Sequence, residues 1–440
     1  MRTRLPSFFD KRCDMPCLEQ IALPCVRVER CLDCRGRESA RQIVNTDLQS
    51  AIRVLSACCI FCLLSLNAES REFNILDYGA TADDESDDTL AIRECFEACH
   101  EAGGGVVVIP AGTYLVSRQA SESPILELPS RTLIRGEGAA STLKFSERVN
   151  DTNFWRMLGA SRRDCRDVVI RDLHLDGSNT YQSYEPGETP EQNHGIFLHR
   201  KDGVIENILV ENCLVENFSG DCIGLSVGCR QITIRGVTLR NFVRQGIQMA
   251  GDPESRGYLV TECQDLAGEV RPGGSTIHVE HADGVQDVII TDNRCRHSIL
   301  AGGVDGIIIR DNTISGRLVG NGNSNAIVSG NLVRGPDAAA AVIQLGFTDG
   351  LVLKDNVVLS PNPEATGIYV WGSSRYDPNP SRDVLIADNL VRVTGRGVFL
   401  NGVDGGTIAH NRIATADASQ RVVLQRCEDV NVQGDPSPAE

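Results

Sequence analysis

Aromatic side chains are scarce in this chain: 2 Trp, 7 Tyr and 12 Phe among 440 residues, 5% of the total. Any core must therefore rest on Val, Ile and Leu. Lysine is scarcer still, with four against 39 arginines, and the formal net charge is −16. That balance argues against a nucleic-acid binder, whose affinity depends on cations meeting phosphates. The apolar run at 54–66 holds thirteen residues without a charge, short of the ~20 that a membrane-spanning helix needs. Hydrophobic residues at 41% and charged residues at 23% are a globular composition, neither collagen-like nor disordered.

Cysteine is abundant, and unevenly placed. Eight of the 17 lie in the first 62 residues: Cys13, Cys17, Cys25, Cys31, Cys34, Cys58, Cys59 and Cys62. Residues 1–68 carry a net charge of +3, which leaves −19 on the rest. Arg53, the run at 54–66 and the small-residue sequence Leu66-Asn67-Ala68 follow the order of a secretory signal peptide. The expected organisation is a non-native N-terminal extension at 1–48, with translation starting near Val44 or Leu48, then a signal peptide at 49–68 and one domain at 69–435. The Arg-rich, Lys-poor usage suggests GC-rich coding, in which upstream reading frames stay open. Cys13, Cys17, Cys31 and Cys34 have a spacing that resembles zinc ligands, but no histidine accompanies them and the outer spacings are irregular. Leu55-Ser56-Ala57-Cys58 matches a lipoprotein cleavage box, yet the apolar run continues past it. The nine cysteines of the body are isolated within apolar strand patterns. They are expected to be buried free thiols.

From about residue 165 the chain repeats itself. Asp167-Val-Val-Ile-Arg-Asp172, Asn207-Ile-Leu-Val-Glu-Asn212, Gln231-Ile-Thr-Ile-Arg-Gly236 and Asp287-Val-Ile-Ile-Thr-Asp-Asn293 are variants of one unit. Later copies end on Asn312, Asn331, Asn356, Asn389 and Asn411, separated from one another by about one coil. A period of this size marks a solenoid. Alternating β-branched residues give strands with one buried face. The repeated Gly or Asn is expected at a left-handed turn, and stacked asparagines can bond along the axis. The expected fold class is all-β, a single-stranded right-handed parallel β-helix. A helix at 89–102, with Asp88 as N-cap and Ile92, Cys95, Phe96 and Cys99 as its buried stripe, should plug the N-terminal mouth.

The segments Phe73-Asn-Ile-Leu-Asp-Tyr-Gly79, Ser86-Asp-Asp-Thr-Leu-Ala-Ile92, Gly103-Gly-Gly-Val-Val-Val-Ile-Pro-Ala-Gly112 and Thr132-Leu-Ile-Arg-Gly-Glu-Gly138 come in an order that closely resembles the N-terminal part of the pectate lyase superfamily, a region shared with rhamnogalacturonase-like and mannuronan-epimerase-like β-helices. The resemblance covers 72–145 directly and 165–430 through the coil repeat. It implies a pectin-lyase-like solenoid. The superfamily hosts hydrolases, lyases, epimerases and inactive surface proteins, so fold alone does not fix function. The acidic loop Ala82-Asp83-Asp84-Glu85 departs from the usual Gly-Asp-Gly. It reads as a capping loop; calcium is the one ion it would suit, and no cofactor is indicated.

Four coils can be aligned on Ile196, Ile223, Ile247 and Ile277, and their layout resembles the polygalacturonase family. His194 stands where that family has an Asp, Asp221 keeps the second Asp of a pair whose first is Gly220, Gln245 replaces the His, and His278 and Glu280 replace an Arg and a Lys. The alignment predicts that Ile277 and Val279 point inward and that His278 and Glu280 point outward. His199, Ser226 and Ala250 should share the row of Glu280. Asp221 and Glu280 should lie roughly 10 Å apart, near the upper end of an inverting carboxylate pair. A lyase or epimerase would instead need a His or Tyr base beside a sugar carboxylate. The Asp-Pro-His-Glu type of motif found in alginate epimerases is missing.

The candidate catalytic residues are thus Asp221, His278, Glu280 and His194. Candidate substrate contacts are His199, Gln245, Gln248, Lys201 and Arg244. Tyr181 and Tyr184 join them from a long insertion at 176–194, and a second insertion is expected at 250–275, with Arg256, Tyr258 and Arg271. The expected function is an exported enzyme, a glycoside hydrolase or lyase, that degrades a pectin-like or other acidic polysaccharide. The alternatives are a non-catalytic glycan-binding or envelope protein and, more weakly, an epimerase. The expected partner is the polysaccharide alone, with no nucleic acid and no stable membrane span. A secreted or periplasmic monomer is expected.

Overall fold

The computed structural model describes residues 71–146, 155–178, 193–266, 268, 274–280, 282, 284–372 and 379–434. The extension, signal-peptide, zinc and lipoprotein readings, and Tyr181, Tyr184 and Arg271, lie outside the described residues.

Among the described residues, three parallel sheets of 14, 12 and 12 strands run side by side along one axis. Each complete coil gives one strand to each sheet before the chain rises to the next, ~4.8 Å higher. In the first sheet Ile170, Val210, Ile234, Val260, Ile290 and Ile309 stack in register, all buried. The core is a set of such aliphatic columns, as the aromatic scarcity implied. No described helix is long and apolar enough to cross a membrane.

The asparagine ladder forms as expected, and the expected left-handed Gly or Asn is found at Asn212, Gly236 and Gly330, with a correction for the ladder asparagines themselves. The left-handed residue is the one before each asparagine: Asp292, Asp311, Gly330, Asp355, Asp388 and His410 all have φ between 56° and 67°. This bend sends the next side chain inward. Asn293 Nδ2 then donates to Asn312 Oδ1 at 2.9 Å, and the pattern repeats through Asn331, Asn356, Asn389 and Asn411.

Helix α1, Thr89–Glu101, covers the N-terminal mouth and buries Ile92, Cys95, Phe96 and Cys99. Asp88 does not cap it through its side chain. Its carboxylate instead accepts from the backbone N–H groups of Thr81 and Leu115, and Asp87 accepts from Thr89 N. The chain stops the helix at Gly103 and Gly104; a Cβ on Gly104 would lie 2.3 Å from the Arg131 carbonyl oxygen. The insertion expected at 250–275 is also corrected. Arg256–Thr261 and Gln264–Asp265 are coil strands, and Tyr258 is buried in the first sheet.

Candidate functional site

The third sheet carries the site. Between its first strand and its last (Val422–Gln425) it holds β1 (Arg156–Ala160), β2 (His194–Leu198), β3 (Ile223–Leu225), β4 (Ile247–Met249) and β5 (Ile277–Val279), followed by β6 (Ile299–Gly302), β7 (Leu318–Asn321), β8 (Ala341–Gly346), β9 (Thr366–Trp371) and β10 (Val398–Asn401). Ile196, Ile223, Ile247 and Ile277 are register partners, which is the alignment made on sequence. Ile277 and Val279 face inward, and His278 and Glu280 face outward, each about one-fifth exposed.

Two outward columns follow from this register. One runs Phe197, Gly224, Gln248, His278 and Leu300. The other, one step past each strand, runs His199, Ser226, Ala250 and Glu280. The middle of both columns is small: Gly224, Ser226 and Ala250. A Cβ on Gly224 would already lie 2.6 Å from the Phe197 ring. The missing side-chain volume leaves a notch of about 380 Å³ lined by Phe197, Leu225, Ser226, Val227, Arg244, Gln248, Ala250 and Gly251.

On the N-terminal wall, Phe197 packs against the Arg156 guanidinium, 4.6 Å from its centroid, and against the His194 ring, 4.9 Å away. His199 stands beside it with Nδ1 3.1 Å from Ser226 Oγ. Burial lowers the His199 pKa, and the nearby cations Arg156 and Lys201 lower it further. His199 is therefore a neutral imidazole at neutral pH.

On the opposite wall, Arg244 Nη1 donates to Asp221 Oδ2 at 3.0 Å and to Gln248 Oε1 at 2.9 Å, while Nη2 donates to Glu280 Oε1. Gln248 Nε2 donates to the same Glu280 oxygen at 2.7 Å. Both carboxylates thus sit on one guanidinium, so their bound oxygens are at most ~8 Å apart, two hydrogen bonds plus the width of the fork. That is closer than the sequence register implied, and the arginine fills the space between them.

Asp221 and His194 come together, but neither side chain has exposed surface. His194 Nδ1 lies 2.9 Å from the Asp221 backbone nitrogen and 3.2 Å from Asp221 Oδ2. Burial depresses the His194 pKa, and the ring stays neutral. These two residues support the notch from beneath. His278 is set by Gln245. The Gln245 Oε1 accepts from Ser275 N and Oγ at 2.7 and 2.8 Å, which turns its Nε2 toward His278 Nδ1 at 3.0 Å. A neutral His278 therefore carries its proton on Nε2, the position of a donor rather than a base.

Lys201 is exposed and acts on the site through its charge on His199. Sequence reasoning missed Arg156 and Phe197. Extending the isoleucine register back one coil would have found Arg156, the partner of His194. Among the described residues no cluster of three or more His, Cys, Asp or Glu converges on a metal position.

Residues 72–160 match the family model described as rhamnogalacturonase A/epimerase, pectate lyase-like. Alginate lyase 7 of Azotobacter vinelandii is 32% identical over 151 residues, 34% of this chain and 17% of that protein. Mannuronan C5-epimerase AlgE4 of the same organism is 28% identical over 151 residues, 34% of this chain and 27% of its own length. This chain thus spans well under a third of the curated relatives it matches. Among solved structures, the A-module of that AlgE4 epimerase superposes with a TM-score of 0.57 at 17% identity, covering 84% of this chain and 98% of the module. PfbA, a surface adhesin of Streptococcus pneumoniae, superposes with a TM-score of 0.61 at 14% identity, covering 82% of this chain and 93% of the adhesin. At these identities the structural likeness defines the fold: a right-handed parallel β-helix of the pectin-lyase-like kind.

Proposed function

We propose that the notch abstracts a proton beside a sugar carboxylate and that the protein is an exported polysaccharide lyase acting on an acidic polysaccharide. The observation that carries this reading is His199, a neutral imidazole whose Nδ1 lies 3.1 Å from Ser226 Oγ in the lining of a notch that also presents the Arg244 guanidinium. In the tautomer in which Ser226 Oγ accepts from Nδ1–H, the His199 Nε2 lone pair can take the proton from the carbon next to the carboxylate. The electron pair left on that carbon forms a double bond as the neighbouring C–O bond breaks, and the leaving oxygen takes up the proton from the His199 imidazolium, which returns the base to its neutral form. Arg244 has N–H donors beyond the three it uses, and these can hold the sugar carboxylate while charge builds on it. Hydrolysis is less well supported. It needs a protonated acid and a water between two carboxylates, and here both carboxylates are tied to Arg244. The relatives named as alginate lyase and mannuronan epimerase agree with proton abstraction. The leader-like segment 49–68 agrees with export.

The test is to incubate the protein with alginate, pectate and neutral glycans and to follow ultraviolet absorbance from unsaturated ends beside total reducing ends. Absorbance rising with reducing ends supports the lyase. Reducing ends without absorbance mean a hydrolase, inverted stereochemistry without cleavage means an epimerase, and binding without product means a non-catalytic module.

A further inference from the structure

Several arginines lie at or just before strands of the third sheet: Arg156 opens β1, and Arg244, Arg296, Arg317 and Arg396 precede β4, β6, β7 and β10. Their surroundings differ. Arg244 is neutralised by Asp221 and Glu280, and Arg396 lies over the Phe399 ring. Arg317 is half-buried, and no carboxylate of the described residues pairs with it. It is held by neutral acceptors alone: Nε donates to the Ala341 carbonyl at 2.8 Å and Nη2 to Gln344 Oε1 at 2.5 Å. Of its five N–H donors, three remain for an outside partner. Burial disfavours its charge, and no acidic neighbour offsets that cost.

A half-buried cation fixed by neutral acceptors is arranged to receive an anion. Arg317 immediately precedes β7, the strand two coils past His278, ~10 Å along the axis. Between them the outward column offers Leu300 and Val319, half-buried and apolar, a surface for the C–H face of a sugar ring.

We propose that Arg317 is a distal subsite that binds the carboxylate of a uronate unit in the same chain whose scissile unit occupies the notch. The proposal rests on the notch being a polysaccharide site, and it makes the enzyme selective for chains charged at more than one unit.

The test measures equilibrium binding of mannuronate and galacturonate oligomers, dimer to octamer, to the full chain and to its R317M and R317K variants. The expected result is a loss of about tenfold for the longer oligomers in R317M, the scale of one charge-assisted hydrogen-bond pair, with the dimer unchanged. R317K, which keeps the charge without the fork, should lose less. If R317M binds long oligomers like the wild type, the subsite is wrong and the notch reading stands. If it weakens dimer and octamer equally, the arginine is only structural and the subsite again falls. If the wild type binds no uronate oligomer while acting on a neutral glycan, both readings fall. Matched circular dichroism spectra and melting curves show that the variants are folded.

Discussion

Arg244 and Asp221 form an ion pair in which only one partner meets water: Nη1 lies 3.0 Å from Oδ2, the arginine side chain is 20% exposed and the aspartate 0%. The Asp221 Oδ1 accepts no hydrogen bond. Removing the arginine leaves a buried carboxylate without its counter-charge. R244A should therefore cost about 3 kcal/mol in denaturant unfolding. The double variant D221N/R244A should be more stable than R244A alone, because it removes the stranded charge. Equal stability of the two would show that the pair contributes nothing.

The acid limb of kcat/KM reports the base. Because burial, Arg156 and Lys201 hold the His199 pKa below its ordinary 6.5, activity should persist below that pH and fall only as His199 protonates. K201M removes one of the repelling cations and should move the limb toward higher pH. H199Q should lower kcat by ~100-fold or more. An unchanged limb in K201M would assign the titration to another group.

The ladder makes a stability prediction. Asn331 Nδ2 donates to the Ile309 carbonyl and to Asn356 Oδ1, and its Oδ1 accepts from Asn312 N and Nδ2, all without solvent. N331A strands several buried groups at once and should cost at least ~3 kcal/mol. N331D keeps the shape but turns an oxygen toward carbonyls, so it should also destabilise. Thermal melts of both variants decide this.

Thiol reactivity should separate the body cysteines. Cys95, Cys165, Cys213, Cys229 and Cys263 are buried, and burial pushes their thiols up to about 12. Cys427 is the partly exposed exception. Brief alkylation followed by peptide mass mapping should modify Cys427 first, and the five buried thiols only after denaturation. Rapid native modification of Cys213 or Cys263 would contradict the packing of the turns.

Much of the architecture was legible in the residues. The two-residue period, the recurring asparagines and the isoleucine alignment sufficed to place Ile277 inward, Glu280 outward, and His199, Ser226 and Ala250 in the row of Glu280. Errors came where two local rules give similar strings. Asp88 looked like a cap because Asp and Asn favour both helix starts and tight loops, and only the folded loop brings Thr81 and Leu115 to its carboxylate. Arg256–Thr261 looked like a loop because Gly257, which sits left-handed, interrupts its pattern.

Backbone pattern decided the solenoid, since each coil's strands and turns are local and repeat. The scarcity of aromatics was part of that signal, because stacked aliphatic columns need few rings. The notch was decided only by the tertiary structure. Gly224, Ser226 and Ala250 belong to separate coils, and their smallness becomes a cavity only when parallel stacking brings them beside Phe197 and Gln248. The same stacking put Arg244 between two carboxylates distant in sequence and left Arg317 with none. Charge pairing depends on distance through space, which the order of residues along the chain does not contain.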